Sequence, residues 1–206
     1  MLSKIQVQVV LGLSVIAWAV MLFVEGVPLK AAYLRPYSVV VTAVVVGLIL
    51  FDRWLWRIPP VPRLLHHPAL SGTWKGTLRS NWINPETSTG VDPIVAYFAI
   101  RQTYSTISLR MLTRESASVS LVAALEGRGD GVPRITSTYE NQPGVLIQDR
   151  SRIHHGALLL EVHGTPASRL DGWYWTDRDT KGEVVLEQRS RELFSSFEEA
   201  ERAVWS

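Results

Sequence analysis

The stretch Leu70-Ser71-Gly72-Thr73-Trp74-Lys75-Gly76-Thr77-Leu78 decides the fold class, because its apolar and small residues fall at every second position. Leu70, Gly72, Trp74, Gly76 and Leu78 alternate with Ser71, Thr73, Lys75 and Thr77, the period of a strand with one buried face. The period returns in Ile107, Leu109 and Met111 against Thr106, Ser108 and Arg110. It returns again in Val119, Leu121 and Ala123 against Ser118, Ser120 and Val122, then at Leu158, Leu160 and Val162, and at Val184 and Leu186. Turn signals separate these runs: Asn84-Pro85, Gly127-Arg128-Gly129-Asp130-Gly131, Gln142-Pro143-Gly144, His154-His155-Gly156, Gly164-Thr165-Pro166 and Asp179-Thr180-Lys181-Gly182. About eight short strands at this spacing predict an antiparallel barrel or sandwich. A small closed barrel has no edge strands and leaves an interior able to hold one small ligand. Only Ser195 to Trp205 reads helical, a short C-terminal helix. Ser196 is placed to cap it and Glu199 occupies the capping-box position, with Phe197, Ala200 and Val204 on the apolar side.

Upstream the pattern changes. Ile5 to Val24 is apolar apart from Gln6, Gln8 and Ser14, and as a helix it reaches roughly 30 Å, the thickness of a hydrocarbon core. Glu25-Gly26-Val27-Pro28 breaks it, and Lys30, Arg35 and Pro36 fall in the connection to a second apolar stretch, Tyr37 to Phe51. Tyr33 and Tyr37 at one end and Trp54 and Trp56 at the other resemble an aromatic belt. The expected architecture is two N-terminal transmembrane helices plus an all-β domain. Residues 1–57 form the membrane module, 58–69 a Pro-rich extended linker around Ile58-Pro59-Pro60-Val61-Pro62-Arg63, and 70–206 the barrel. Lys4 and Ala17-Trp18-Ala19 loosely imitate a secretory signal, but the apolar run continues to Val24 and a second one follows at once.

Charge is divided along the same boundary. Up to Arg63 there are six basic and two acidic residues; the remainder holds 15 basic and 17 acidic. The basic balance therefore belongs to the membrane flanks, and polymeric nucleic acid is not an expected partner. Lys4, Arg53, Arg57 and Arg63 outweigh Lys30 and Arg35, so the positive-inside rule places both termini, and the β domain, in the cytoplasm. The chain has no cysteine, hence no disulfide framework and no thiolate metal site.

Catalytic patterns are sparse. The sequence holds no G-x-S-x-G elbow, no Walker loop and no H-E-x-x-H. His154 and His155 are strand neighbours that point to opposite faces, so they do not chelate from one side. Asp171, Asp177 and Asp179 read as hairpin chemistry. No enzyme activity, cofactor or metal is expected. The basic residues of the β domain are arginines except for Lys75 and Lys181. Arginine offers a planar fork for phosphate, and tyrosine a face for a base. Arg110 shares a strand face with Thr106 and Ser108; Arg134 shares one with Thr136 and Thr138; Tyr97, Tyr104, Tyr139 and Tyr174 are available to stack. The candidate ligand-binding set is Tyr97, Tyr104, Thr106, Ser108, Arg110, Arg134 and Tyr139. The plain alternative is that these are ordinary outward-facing strand residues.

Leu70 to Leu78 and Leu170-Asp171-Gly172-Trp173-Tyr174-Trp175-Thr176-Asp177-Arg178, placed after paired apolar segments and a short linker, resemble a bacterial antiphage family over the whole chain. These are the CD-NTase-associated, two-transmembrane, β-strand-rich effectors of cyclic-oligonucleotide-based antiphage signalling (CBASS), with a lipocalin-like barrel. Gly72 and Trp74 are similar to the opening glycine-x-tryptophan strand of such barrels, whose tryptophan closes the base. The resemblance implies a partner CD-NTase that makes a cyclic dinucleotide, a barrel that binds it, self-association, and disruption of the bilayer of the bacterial inner membrane. Two other readings compete. A tethered barrel carrying a lipid or other apolar ligand predicts an apolar lumen without Arg110 or Arg134, and a protein adaptor predicts a filled barrel with no cavity.

Overall fold

A computed structural model describes residues 12, 15–16, 18–26, 31–83, 87–127, 131–149 and 151–205. The chain divides into two compact units, Met1–Trp56 and Arg57–Ser206. In the first, residues 18–24 are helical and helix α1 runs over Ala31–Arg53. It begins earlier than expected. Ala31, Ala32 and Leu34 are strong helix formers, and they carry Arg35 and Pro36 into the helix instead of leaving them in the connection. Among the described residues no helix is long and apolar enough to cross a membrane. Much of the expected first span, Ile5 to Val24, lies outside the described residues, as do Asn84-Pro85 and Arg128-Gly129-Asp130.

In the second unit, the expected extended linker contains a single helical turn, α2 (Val61–Leu64), with Pro62 in its first turn. Proline is tolerated there because the first N–H groups of a helix have no intrahelical acceptor. Eight strands follow: β1 (Gly72–Ser80), β2 (Ile94–Gln102), β3 (Ile107–Leu112), β4 (Ser116–Gly127), β5 (Pro133–Pro143), β6 (His154–His163), β7 (Arg169–Thr176) and β8 (Lys181–Ser190). Each pairs antiparallel with its chain neighbour, and β8 returns to β1 to close the barrel. The predicted eight-stranded antiparallel barrel is thereby observed, and its core contains Leu70, Trp74, Leu78, Ile107, Leu109, Leu158, Leu160, Val162, Val184 and Leu186.

β4 departs from the expected pattern. Val119, Leu121 and Val122 are exposed, Ser118 is buried and Ser120 half-buried. A bulge between Ser120 and Val122 changes the register, after which Ala123 and Leu125 pack on the core. The interior is polar at this height, so the serines face it and the valine does not. The triplet His154-His155-Gly156 is the start of β6, not a turn. The C-terminal helix, α3 (Phe197–Arg202), is capped as expected by Ser196, whose hydroxyl accepts from the Glu199 N–H at 3.2 Å. The Glu199 carboxylate reaches back to Ser195 N at 2.8 Å. α3 seals the outer side of β2 and β3: Phe197 and Ala200 bury Tyr97 and Leu112, and Trp205 stacks on Tyr97 with centroids 5.2 Å apart. Val204, expected on this apolar side, is exposed. Trp205 takes its place because its indole N–H is tied to the Ala200 carbonyl at 2.9 Å.

Candidate functional site

One end of the barrel is closed by Trp74. Its ring is fully buried and its N–H donates to the Leu70 carbonyl at 2.9 Å. The Arg189 guanidinium lies 5.0 Å from the ring centroid and donates to the Ser71 carbonyl at 2.6 Å, so a cation–π contact and a backbone bond fasten β8 across the plug. Gly72, at φ +129, approaches the Ser190 backbone so closely that a Cβ would collide with its carbonyl oxygen. The strand that opens the barrel thus needs glycine at this place for two separate reasons.

Toward the other end the barrel is open. A cavity of about 500 Å³ begins above the core and reaches the β1–β2, β3–β4, β5–β6 and β7–β8 loops, a size ordinary for a small-molecule site. Its floor and walls are apolar, from Leu78, Phe98, Leu109, Met111 and Leu158. Above them β4 and β5 contribute a band of hydroxyls and an amide. The buried Ser118 hydroxyl donates to Asn141 Oδ1 at 2.7 Å, Ser120 Oγ accepts from Leu109 N at 3.0 Å, and the Ser137 hydroxyl donates to the Val122 carbonyl at 3.0 Å. Tyr139 and Tyr174 also line the cavity. Burial raises both phenol pKa values; the neighbouring Tyr174 and Asp177 add to this for Tyr139, and a bond with Ser80 opposes it for Tyr174. Both are therefore neutral hydroxyl donors at physiological pH.

The Tyr139 ring occupies the place where Gly156 has no side chain. A Cβ there would strike the phenol and come within 2.6 Å of the Trp175 carbonyl oxygen. Gly156→Ala is expected to displace Tyr139 and to cost about 1–3 kcal/mol of stability, as overpacked interiors do. Urea unfolding of the two proteins checks the cost, and near-ultraviolet circular dichroism checks the ring displacement.

At the mouth the lining becomes charged, with Arg114, Arg178 and Glu115. Arg178, on the β7–β8 turn, donates to Ser151 Oγ at 3.3 Å and to the Arg152 carbonyl at 3.5 Å, both neutral acceptors. Arg114, on the β3–β4 turn, pairs with Glu201 at 2.9 Å and lies 5.7 Å from the Phe197 ring. His154 completes the set. Partial burial lowers its pKa; the Arg152 carbonyl and the Asp177 carboxylate pull it up, while Arg178 and His155 push it down.

A lowered histidine pKa has a defined consequence for acid stability. His154, and His67, which burial also lowers, are neutral when folded. Below the ordinary value of 6.5 the unfolded chain takes up their protons first, so stability present above 6.5 is lost as pH falls through it toward the folded values. The urea midpoint should therefore drop between roughly pH 7.5 and 5.5, and drop less in His154→Gln. A bound anion at the mouth reverses the sign for His154, so its binding should take up protons in the same window, measurable as a buffer-dependent calorimetric heat.

A family model described as Cap15, cyclic dinucleotide receptor domain, matches residues 65–188, more than half of the chain, from before β1 into β8. The chain belongs to the Cap15 receptor family. No curated protein matches it. The kinship with CBASS effectors expected from Gly72, Trp74 and the Trp173-Tyr174-Trp175 segment is thereby borne out. Trp74 plugs the Cap15 barrel as that resemblance implied.

The Cap15 domain gathers few of the residues singled out from the sequence. Tyr139 lines the cavity, and so does Tyr174. Tyr97 faces the other way, buried under α3. Tyr104 lies at the closed end, 4.8 Å from the His67 ring. Arg110 stands exposed on the outer wall, opposite Ala99 and Val119 in the register. Arg134 also points away from the lumen and pairs with Glu161 at 2.8 Å. Thr106 and Ser108 line a separate outer groove. The lumen thus contains neither Arg110 nor Arg134, and the charged side chains that line it are Arg114, Arg178 and Glu115, none of them in the candidate set read from the sequence. The presence of a cavity argues against the filled barrel of an adaptor.

Proposed function

We propose that the cavity is the receptor site for a cyclic dinucleotide and that its occupation drives self-association of a membrane-anchored antiphage effector. The observation that carries this is the mouth of the cavity: in a barrel of a cyclic dinucleotide receptor family, two arginines and a histidine, with the single carboxylate Glu115, rim an apolar chamber with a hydroxyl band. A cyclic dinucleotide is a dianion with two flat bases. Its phosphates suit the guanidinium groups of Arg178 and Arg114. Its bases suit the walls beside Phe98 and Tyr174, and the Ser118, Ser120, Ser137 and Asn141 band offers hydrogen bonds to base edges.

In this reading a CD-NTase supplies the ligand, the protein resides in the bacterial inner membrane with both termini cytoplasmic, and the apolar N-terminal segments breach the bilayer on assembly. Trp173 and Trp175 support self-association. Both stand outward on β7, about half exposed, beside Leu159 and Ala157 of β6, and exposed apolar patches of this kind mark contact surfaces. A ligand shifts assembly only by preferring the assembled state, and reversing a ratio of about 99:1 takes roughly 5.5 kcal/mol of preference.

The test is calorimetric titration of the full chain in detergent with a panel of cyclic dinucleotides and linear dinucleotides as controls. Saturable binding selective for a cyclic ligand supports the reading; a folded protein that ignores every cyclic dinucleotide sinks it. Ligand-dependent cross-linking of wild type, weakened in Trp173→Ser, tests assembly. Resistance of the membrane-bound chain to carbonate extraction tests the anchor.

A further inference from the structure

A second concavity of about 300 Å³ lies on the outer wall at the closed end of the barrel, away from the mouth. Arg57, Arg101 and Arg191 converge on it from the start of the unit, from β2 and from the segment after β8. Among the described residues no aspartate or glutamate lines it. The barrel unit as a whole holds 17 basic and 17 acidic residues, so this is a local concentration of positive charge, not a general excess. Among the described residues Arg101 and Arg191 have no carboxylate partner, whereas Arg114, Arg134 and Arg169 each have one. Arg57 donates to the Gln102 carbonyl, whereas Arg101 and Arg191 on one concavity repel each other unless an anion lies between them.

The rest of the lining narrows the anion's chemistry. Ser108 stands directly opposite Arg101 in the β2–β3 register, and the Thr103 and Thr106 hydroxyls, 2.9 Å apart, lie at the β2–β3 turn. Gly72 adds main chain to the lining. Among the described residues no aromatic ring lines the groove to stack on a base. The features suit a phosphate group without a nucleobase. Chain position selects among phosphates. Arg57 follows Arg53, the last residue of α1, by four positions, and four residues extend at most about 14 Å.

We propose that this groove holds the phosphate of an anionic phospholipid headgroup, with Arg101 and Arg191 as charged contacts and Ser108 as a hydroxyl donor. The assignment to a lipid rests on the membrane anchoring proposed above, since only then does the chain bring Arg57 to headgroup level. Basic pockets beside a membrane segment bind anionic headgroups through charge and charge-assisted hydrogen bonds.

The test uses full-length protein in neutral detergent, titrated separately with soluble short-chain phosphatidylglycerol, short-chain phosphatidylcholine and inorganic phosphate. Arginine side-chain NMR signals report the groove. Phosphatidylglycerol should bind saturably and shift the Arg101 and Arg191 signals. It should bind more tightly than either control, and raised salt should weaken it. R101Q should weaken that binding roughly tenfold, and R101Q/R191Q by more, with cyclic dinucleotide affinity unchanged. Equal or tighter binding of inorganic phosphate would overturn the lipid assignment. Equal binding of all three, or wild-type phosphatidylglycerol affinity in the double variant, would overturn the site. Because the short-chain lipids are soluble, these outcomes are read even if carbonate extraction removes the chain from membranes, so failure of the anchor and failure of the groove are told apart.

Discussion

Trp74→Ala is expected to destabilise the barrel by about 3–5 kcal/mol, the range for removing a fully buried large aromatic, as measured by urea unfolding of the full chain in detergent. Three losses combine at this position. The indole leaves a void at the base among Leu70, Ile100, Ile107 and Leu170, all core residues that cannot collapse far while the strands hold register. The Leu70 carbonyl loses its donor, bonded at 2.9 Å. Arg189 loses the ring beneath its guanidinium and keeps the Ser71 carbonyl. Trp74→Phe separates these terms. It retains most of the volume and a π face and removes the N–H, so its cost should be nearer 1 kcal/mol. Since the cavity opens at the opposite end, whatever fraction of Trp74→Ala remains folded should bind a cyclic dinucleotide as wild type does. Equal stability of Trp74→Ala and wild type would mean that the base is not the element holding β8 to β1.

Trp74 was legible because the physics that fixes it is local. A large apolar residue in a period-two strand between Gly72 and Gly76 has one buried side to occupy, and the glycines admit the close strand approach that closure needs. The lumen was not legible, for the converse reason. Reading the more apolar face of each strand as inward fails wherever the interior is itself polar. Ser118 and Ser120 face the cavity while Val119 and Leu121 face outward, and the bulge that resets β4 leaves no mark in composition. Arg110 and Arg134 share a strand face with hydroxyl residues, and that face is the outer one. Gly156 looked like a turn glycine, yet its role is to leave room for the Tyr139 ring, a tertiary contact. Arg178 was obscured by its neighbours, because Asp177 and Asp179 mark the segment as a hairpin turn, which it is. A turn at the open end of a barrel is also where a side chain can reach the mouth.

Arg178→Ala is expected to weaken cyclic dinucleotide binding by about 10–100-fold, the loss that follows from removing one charge-assisted contact to a phosphate. Among the described residues its guanidinium bonds only Ser151 Oγ and the Arg152 carbonyl, at 3.3 and 3.5 Å. Both are neutral, so a phosphate displaces them at little cost. Arg114 differs. It must leave Glu201, 2.9 Å away, before it can serve a ligand. That pair is exposed and contributes at most about 1 kcal/mol, so Arg114→Ala should cost somewhat less affinity than Arg178→Ala, and Glu201→Gln should tighten binding slightly. Arg178→Lys keeps the charge without the planar fork and should fall between wild type and alanine. The double variant then reports on the pose. If the two arginines hold different phosphodiesters of the ring, their losses add; if both hold one, the first substitution already removes much of what the second would. Calorimetry on the four proteins of that cycle distinguishes the cases. Wild-type affinity in Arg178→Ala would place the phosphates elsewhere and return the mouth to the role of a solvated rim.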